Sequence, residues 1–453
     1  MLAAQFMALL DVFIVNVAAP TIRTELHASG AGLQLVVAGY TIAYAVLLIT
    51  GARLGELLGH RRLYLVGLAV FTAASLACGL SGSTGQLIAF RLLQGVGSAL
   101  MIPQVLSLIQ RNFTGEARVR ALGVYSAVLA TGAAAGQVLG GILVSADLFG
   151  AGWRPVFLVN VPIGITLLAL GARYLPRDRR ERRGAARLMR DLDLPGLVLL
   201  GGSVSLLTVP LVLGQEEDWP LWAWLSLASS VVLFAAFWAY ESRLARRGGA
   251  PLIAPRVLRI PGMGLAVTRI AVAMAINAGF LFTLTLHIQG GLGYSALRAG
   301  LTFAPTAAVF GTVGLTWRRW PASWQRALVP GGFALTAVST VATGALQHGG
   351  GTGGLAIYGA YAGVGAGLAL AFSPTFAGAL ANVRPEDAAD ASGLLATVNQ
   401  LGQLIGVASF GTLFLNRLGA GAHASGDALW ACSVALAGAA LVGVLTALVS
   451  RRR

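Results

Sequence analysis

The chain has 453 residues, of which 11% are charged and 56% are hydrophobic. Ordinary soluble domains have roughly 25% charged and 45–50% apolar residues, so this composition excludes a water-soluble globule. Basic residues number 32 against 17 acidic ones, which gives a formal net charge of +15. All 32 are arginine, which excludes a P-loop ATPase and a Schiff-base enzyme because both mechanisms depend on a lysine.

Apolar stretches of membrane-spanning length follow one another along nearly the whole chain. A spanning helix needs about 20 apolar residues, and fourteen such stretches are predicted. The first begins almost at Met1, follows no basic segment and carries Asp11 at its centre, so we interpret it as a retained helix rather than a cleaved signal peptide. The predicted spans cover approximately residues 3–21, 33–51, 63–81, 86–109, 121–145, 155–174, 195–213, 221–240, 261–287, 299–316, 327–346, 355–381, 391–415 and 428–449.

The placement of arginine predicts the orientation of these spans. If Met1 is cytoplasmic, 26 of the 32 arginines fall in cytoplasmic segments. The positive-inside rule then predicts that both termini are cytoplasmic. The longest hydrophilic stretch, residues 176–193, becomes an arginine-rich cytoplasmic loop that can also contact anionic lipid. The connections on the outer side hold only Arg23, Arg154, Arg298 and Arg417.

Cysteine and histidine give no sign of a metal or redox site. Cys78 and Cys432 both lie inside apolar runs, and the five histidines are scattered without ligand spacing. We therefore expect no structural disulfide, no metal and no cofactor.

A glycine-rich segment follows the second span and reads GARLGELLGHRR. Its glycines allow a tight turn and close helix approach, and its acid can pair with arginine when the cytoplasmic side is closed, as a latch. The alternative is an ordinary positively charged loop. The segment resembles the cytoplasmic signature G-x-L-a-D-r-x-G-r-r of the major facilitator superfamily, with glutamate in place of the usual aspartate. The residues assigned to this gate are Gly51, Gly55, Glu56, Gly59, Arg61 and Arg62.

Four further stretches resemble one branch of that superfamily, the fourteen-helix drug:proton antiporters. They are LDVFIVNVAAP from Leu10, RLLQGVGSA from Arg91, WRPVFLVNVPIG from Trp153 and HIQGGLGYSALRAGLTFAP from His287. The resemblance implies an all-α major facilitator fold of fourteen transmembrane helices in a 6+2+6 arrangement. The implied division is a first bundle at 1–174, a cytoplasmic loop at 175–193, a two-helix insertion at 194–241, a linker at 242–260 and a second bundle at 261–453.

The fifth span contains GAAAGQVLGG, in which glycines recur every four residues. This spacing places small residues on one helix face, where another helix can approach closely. The stretch resembles the antiporter signature g-x-x-x-G-P-x-x-G-G, with glutamine where the signature has proline, so the proline kink is absent. The residues concerned are Gly132, Gly136, Gln137, Gly140 and Gly141.

Asp11 and Arg91 are the ionisable residues placed deep in the first six spans. Such groups are expensive in hydrocarbon and normally face a bundle interior or an aqueous cavity. Burial disfavours the charged form of a carboxyl and a nearby cation favours it, so a movable Asp–Arg pair can bind and release a proton. We predict that both residues act in proton coupling; the alternative is a static structural pair. Neutral polar residues inside spans are the candidates for a substrate cavity: Asn16, Tyr40, Gln94, Asn277, Asn399, Gln400 and Gln403.

These features predict a multi-pass cell-membrane protein that works as a secondary active transporter. The expected activity is proton-coupled efflux of small apolar or amphipathic organic compounds, such as drugs or antibiotics, by alternating access. The expected partners are the organic substrate, protons and membrane lipids, without ATP or nucleic acid, for a monomeric protein. An alternative within transport is uptake or metabolite transport by the same fold, and an alternative from another class is a non-transporting sensor or scaffold. Neither paired carboxylates nor a nucleophile elbow is present, so we expect no enzyme activity.

Overall fold

The computed structural model describes residues 1–113, 115–147, 150–178, 193–213, 219–249, 251–253, 255–381, 383–384, 388–418 and 421–449. Within these ranges the secondary structure is helical and contains no strand. Fourteen long helices follow one another: α1 Leu2–Glu25, α2 Gly30–Leu58, α3 His60–Gly79, α4 Thr84–Asn112, α5 Gly115–Ala146, α6 Pro155–Leu158 with Asn160–Tyr174, α7 Leu194–Leu213, α8 Leu221–Arg246, α9 Met263–Thr285, α10 Ala296–Thr302 with Ala304–Thr316, α11 Ala322–Gln347, α12 Ala356–Ala381, α13 Ala388–Arg417 and α14 Gly421–Val449. Judged on the described residues alone, twelve of them are long and apolar enough to cross a membrane: α1 to α4, α6 and α8 to α14.

The helix ends follow local sequence signals. Ser29, Ser83 and Ser295 precede α2, α4 and α10, and each side-chain oxygen accepts a hydrogen bond from a backbone N–H in the first turn. Such caps satisfy amide groups that a helix leaves without partners. The last helix begins at Gly421, one to two turns before the predicted start, because its polar first turns are helical although they lack an apolar pattern.

Two helices are interrupted where proline lies just downstream. α6 breaks at Val159, three residues before Pro162, and α10 breaks at Phe303, two residues before Pro305. Proline lacks the amide hydrogen and its ring clashes with the preceding turn, which favours a break at these two places. Proline alone does not decide it, because α1, α4, α7, α11 and α12 each continue through an internal proline. α9 ends differently, in a π-helical turn at Leu286–Gly291.

Helix contacts repeat between the two halves of the chain. In the first half α1 packs on α5, α2 on α4, α3 on α4 and α3 on α6. In the second half α9 packs on α13, α10 on α12, α11 on α12 and α11 on α14. Adding eight to both helix numbers of each pair in the first half gives the corresponding pair in the second half. The same packing pattern therefore occurs twice in one chain.

The two halves meet along two helix pairs, α2 with α13 and α5 with α10. The hairpin of α7 and α8 lies outside this junction, with α7 against both α2 and α13. Apolar contact dominates these interfaces, and one continuous cluster of buried hydrophobic side chains contains residues from both halves.

The two ends of the molecule can be told apart by contacts between connections. At the end opposite the chain termini, here called the far side, Arg154 contacts Glu25 and Thr84 contacts Leu26. At the other end, here called the termini side, Arg61 donates to the carbonyl of Ala172. Among the described residues, three residue pairs are hydrogen-bonded between the two halves on the far side: Gln289 with the Val17 carbonyl at 2.9 Å, the Leu297 amide with Ser145 at 2.8 Å and Gln34 with Thr412 at 3.4 Å.

Candidate functional site

The centre of the first half contains a buried ionic network around Asp11. The Nη1 atom of Arg91 donates to the Oδ2 atom of Asp11 at 2.5 Å. Gln94 and Asn160 both donate from their amide nitrogens to the other carboxylate oxygen, at 2.7 and 2.9 Å. Gln94 also accepts from Arg91 at 2.6 Å and donates to Ser75 at 2.8 Å. Four helices, α1, α3, α4 and α6, are joined by this network.

Arg91 is fixed by further contacts on α2. Its Nε atom donates to the carbonyl of Val36 at 3.1 Å, and its guanidinium lies 4.8 Å from the ring centroid of Tyr40. The Tyr40 hydroxyl donates to Ser98 at 2.7 Å. The ring of Phe157 lies on another side of the guanidinium at 5.8 Å. The cation is therefore enclosed by aromatic faces and hydrogen-bond acceptors.

Burial makes this pair sensitive to a change of charge. Asp11 and Arg91 are 0% and 1% exposed. Taking two charges out of water costs several kcal/mol each, which is offset only by good geometry and further hydrogen bonds. Adding a proton to Asp11 would remove the negative charge that balances Arg91, and the arrangement would then favour a different geometry.

A narrow cavity lies between the two halves, next to this network along α1. Its volume is about 20 Å³, enough for about one water molecule. Residues of α1, α2, α9 and α13 border it. Of the predicted substrate candidates, Asn16, Asn277 and Gln403 line this cavity. The Oδ1 atom of Asn16 is buried and has no hydrogen-bond partner among the described residues.

The other predicted cavity residues lie elsewhere. Tyr40 and Gln94 belong to the network around Arg91 rather than to the cavity wall. Gln400 accepts a hydrogen bond from Gln403 at 3.4 Å, and neither Gln400 nor Asn399 borders the cavity. Sequence alone placed all of these residues inside spans, but it could not show which helix face meets the other half.

The predicted gate segment lies on the termini side and is packed tightly. A side chain at Gly51 would meet the carbonyl of Ala99, and one at Gly55 would meet Gln104. Gln104 holds the segment, since it donates to the Gly51 carbonyl at 2.8 Å and contacts the His60 ring at 2.6 Å. These glycines therefore allow the close approach of α2 and α4. The side chain of Glu56 lies outside the described residues.

The acid that contacts the gate arginines in the described structure is Asp178. Its carboxylate accepts from the backbone amides of Arg61 and Arg62 at 3.2 and 3.1 Å. Gly59, at the start of α3, has a φ of +103° and leaves no room for a side chain beside Asp178. Asp178 thus caps α3 from the segment after α6.

The glycines of α5 meet α1. A side chain added at Gly132, Gly136 or Gly140 would come within 3 Å of Leu9, Phe13 or Ile14. Gly141 faces α10 instead, 2.6 Å from the carbonyl of Ala296 when a Cβ is placed on it. The glycine stripe thus brings α5 directly against the helix that carries Asp11. The side chain of Gln137 lies outside the described residues.

Sequence reasoning missed three polar residues of these sites. Asn160 stands in the WRPVFLVNVPIG stretch and Ser75 in the third span, three residues after Thr72, and each is a small polar residue in a mainly apolar run. Asp178 lies in an arginine-rich loop, so nothing in the local pattern marks it as a cap. His287 is also buried, in the π-helical turn that follows α9; its Nδ1 atom contacts Ser425 at 2.8 Å and its Nε2 atom has no described partner.

Comparison with known proteins agrees with this architecture. A model of the Major Facilitator Superfamily matches residues 1–407. The "Probable actinorhodin transporter" of Streptomyces coelicolor is 39% identical over 431 residues, which cover 94% of this chain and 73% of that protein. A cephamycin export protein of Amycolatopsis lactamdurans is 38% identical, covering 89% of this chain and 82% of its own length. A tetracenomycin C resistance and export protein of Streptomyces glaucescens is 34% identical, covering 91% and 74%.

Solved structures share the fold at low sequence identity. A bacterial homolog of the human lysosomal transporter Spinster superposes with a TM-score of 0.69 at 17% identity, covering 100% of this chain and 95% of its own. A peptide transporter of the POT family gives a TM-score of 0.68 at 17% identity, covering 100% and 96%. The resemblance predicted from the motifs is confirmed: the chain belongs to the Major Facilitator Superfamily and is a multi-pass membrane transporter rather than an enzyme.

Proposed function

We propose that the protein exports small apolar or amphipathic organic compounds in exchange for protons, by alternating access. The observation that carries this proposal is the buried Asp11–Arg91 pair on α1 and α4, because α1 also lines the central cavity. Relatives named for the export of cephamycin and tetracenomycin C support an organic substrate and the outward direction. The membrane potential supplies about 2.3 kcal/mol per charge for each 100 mV, so no ATP or cofactor is required.

The proposed coupling begins at the carboxylate of Asp11. In the described geometry it accepts hydrogen bonds from Arg91, Gln94 and Asn160. A proton that reaches Asp11 neutralises it, weakens its attraction to Arg91 and so loosens α1 from α4 and α6. Since neither charged group is exposed, the proton can enter only when the bundle opens to one side. Alternating access then lets the proton load outside and unload inside.

The substrate step takes place in the central cavity. Val12, Phe13 and Asn16 follow Asp11 on α1 and line that cavity, so a shift of α1 changes the network and the cavity wall together. A cavity of about 20 Å³ has no room for a drug-sized compound, which needs roughly 300 Å³ or more. The two halves must therefore separate before substrate binds, and the unpaired Oδ1 atom of Asn16 then offers it an acceptor.

The gate segment is proposed to stabilise the conformation in which the cytoplasmic side of the transporter is closed. Glu56 would form its ion pair in one conformation only, and losing the pair would shift a two-state balance. We expect Glu56→Gln to slow transport while expression and substrate binding stay largely intact. An unchanged transport rate in a well-expressed variant would make the segment an ordinary loop.

The proposed topology is fourteen spans in a 6+2+6 order with both termini cytoplasmic and the domain bounds given above. It is tested by single cysteines at Ala186 and Gln215, two positions outside the described residues, in a background without Cys78 and Cys432. We expect the two cysteines to react with an impermeant maleimide from opposite sides of the membrane. Labelling of both from outside would contradict the topology. The protein is further proposed to act as a monomer in the lipid bilayer.

The decisive test of function is a proton-gradient assay in liposomes containing the purified protein. Compounds from a diverse panel are added, and their accumulation is measured with an imposed pH gradient. We expect Asp11→Asn to bind substrate but to lose gradient-driven accumulation, while Asp11→Glu keeps part of it with a shifted pH optimum. Glu25→Gln is the matched control, because Glu25 lies on the same helix but is exposed and paired with Arg154. Uphill pumping by Asp11→Asn would place the proton carrier elsewhere.

A second candidate function is uptake or metabolite transport by the same mechanism. It is favoured by Gln137, which stands where the antiporter signature has proline. The same liposomes distinguish the two, because a symporter moves substrate in the direction of the proton flow and an antiporter moves it against that flow.

A further inference from the structure

A second cavity opens on the far side of the second half, away from the Asp11 network. It lies between the α9–α10 connection, the end of α11 and the start of α12, and its volume is about 270 Å³. We call it the far-side cleft. Its buried floor includes Ile288 and Ile357, and its polar and aromatic walls include Tyr294, Arg298 and Tyr361.

Arg298 is the cation of this cleft and carries no acidic partner in the described structure. Its guanidinium stacks on the ring of Tyr294, 3.6 Å from the centroid. Arg154, also on the far side, differs: it lies over Trp153 at 4.8 Å but pairs with Glu25 at 3.2 Å. A stacked guanidinium keeps its N–H edge available for a carboxylate or phosphate. Arg298 is therefore positioned to bind an anion, because no acidic side chain of the described structure neutralises its guanidinium.

Asp427, which contacts the connection between α11 and α12, is engaged by other residues. Asp427 contacts His348 and His423 at 3.3 and 3.7 Å and accepts from the amide of Gly349. No acidic side chain borders the cleft among the described residues. The lining thus disfavours an organic cation and favours an anion.

Aromatic rings form the rest of the wall. Tyr358 and Tyr361 meet edge to face with centroids 6.3 Å apart, and Phe280 supports Tyr361 from behind at 6.1 Å. The Tyr361 hydroxyl donates to Gln347 at 3.2 Å, and both side chains are 1% exposed. These polar atoms are held by packing before any ligand arrives. Tyr361 is therefore a buried support, while Tyr358 is 38% exposed and offers ring surface against which a planar ligand can lie at little entropic cost.

We propose that the far-side cleft binds a planar aromatic anion of one or two rings, with its carboxylate or phenolate on Arg298 and its rings against Tyr358. The volume, slightly below the usual range for drug pockets, sets the size of the ligand. Arg298 stands at a position that the G-y-S-p-l-x-A-G pattern leaves open, while Tyr294 and Ser295 match it. This site goes beyond the proposed export function and does not depend on it.

The test is direct binding of 2-naphthoate to the full-length protein in nanodiscs of zwitterionic lipid, measured by calorimetry against empty nanodiscs, without a proton gradient. We expect saturable binding, at least tenfold weaker for the uncharged 2-naphthamide. Arg298→Gln should weaken naphthoate binding at least tenfold, Arg298→Lys less, and Tyr358→Ala severalfold. Arg298 is exposed, so these variants should fold, and thermal unfolding checks this.

A control variant shows whether the effect belongs to Arg298. Arg154→Gln removes another far-side arginine, one that does not border the cleft, and should bind naphthoate as tightly as the wild type does. If the liposome assay shows no proton-driven transport, the naphthoate result still stands. If naphthoate does not bind, the proposed export function is not contradicted. Equal binding by wild type and Arg298→Gln, or equal binding of naphthoate and naphthamide, overturns the proposal.

Discussion

The two halves of this transporter repeat the same helix packing but satisfy their interior polar groups in opposite ways. In the first half, Asp11, Arg91 and Asn160 bond from one helix to another. In the second half, the buried threonines bond mainly to carbonyls one turn back on their own helix. These are Thr283, Thr336, Thr340, Thr343 and Thr375, with distances of 2.6 to 2.9 Å.

This difference in hydrogen bonding affects how easily the helices of each half can move against one another. A hydroxyl bonded within its own helix leaves that helix free to shift against its neighbours. A buried ion pair with several donors ties helices together and can be released only when a charge changes. This contrast supports the proposal that the proton switch lies in the first half. Cross-helix polar contacts in the second half, such as His287 with Ser425 and Arg269 with Thr446, lie toward the ends of its helices.

The largest expected effect comes from removing the cation of the network. Arg91→Gln leaves Asp11 buried without its counter-charge, and breaking a buried pair in this way costs about 3–5 kcal/mol. We expect a large fall in thermal stability in detergent, followed by tryptophan fluorescence. Arg154→Gln, which removes an exposed pair, should cost only about 0–1 kcal/mol. The double variant Arg91→Gln with Asp11→Asn should recover much of the loss; equal losses for the two single variants would contradict the buried-charge argument.

The next effect concerns the glycine stripe between α5 and α1. Gly136→Val places a side chain within 3 Å of Phe13 and Leu10, and such overpacking costs about 1–3 kcal/mol. Gly438→Val on α14 is the control, because nothing lies within 4 Å of its added Cβ. We expect reduced stability and transport for the first variant only. If both variants behave alike in thermal unfolding and liposome transport, the stripe has no special packing role.

A similar or smaller effect is expected at Asn160. Asn160→Ala removes one donor to the Asp11 carboxylate, and an unsatisfied buried group costs about 1–3 kcal/mol. Thr340→Val in the second half removes a hydroxyl that serves only its own helix, so its cost should lie near the low end of one net hydrogen bond, about 0.5 kcal/mol. Thermal unfolding of both variants measures the contrast. A larger loss at Thr340 would reverse the comparison between the halves.

The smallest effect is expected at the start of α3. Asp178→Ala removes the acceptor of the Arg61 and Arg62 amides, and loss of a helix cap costs about 0.5–2 kcal/mol. The corresponding helix of the second half, α11, follows Pro321 and has no side-chain cap, so Ser323→Ala should cost within about 0.5 kcal/mol. Hydrogen exchange of the first turn of each helix reports the difference. Unchanged exchange in Asp178→Ala would show that the cap is dispensable.

Much of the fold was predictable because its signals are local. Twenty-residue apolar runs mark spanning helices, serines mark helix starts, and the motifs around Asp11, Arg91 and Trp153 identify the superfamily. The spans with breaks at Val159 and Phe303 were predicted as continuous, and the nearby prolines did not mark the breaks by themselves, because five other helices continue through a proline. The predicted role of the gate acid stays a prediction, since the side chain of Glu56 lies outside the described residues.

The sequence by itself determined that this chain is a membrane protein, because its composition cannot form a soluble surface. It also determined that Asp11 and Arg91 must be buried in the bundle with polar partners, because isolated charges are costly in hydrocarbon. Only the tertiary structure decided their partners. Asn160 and Asp178 lie 149 and about 120 residues from the groups they contact, and no local pattern encodes such distances. The tertiary structure likewise determined that Asn16, Asn277 and Gln403 line the cavity. The face that a helix turns toward the other half depends on the packing of all its neighbours.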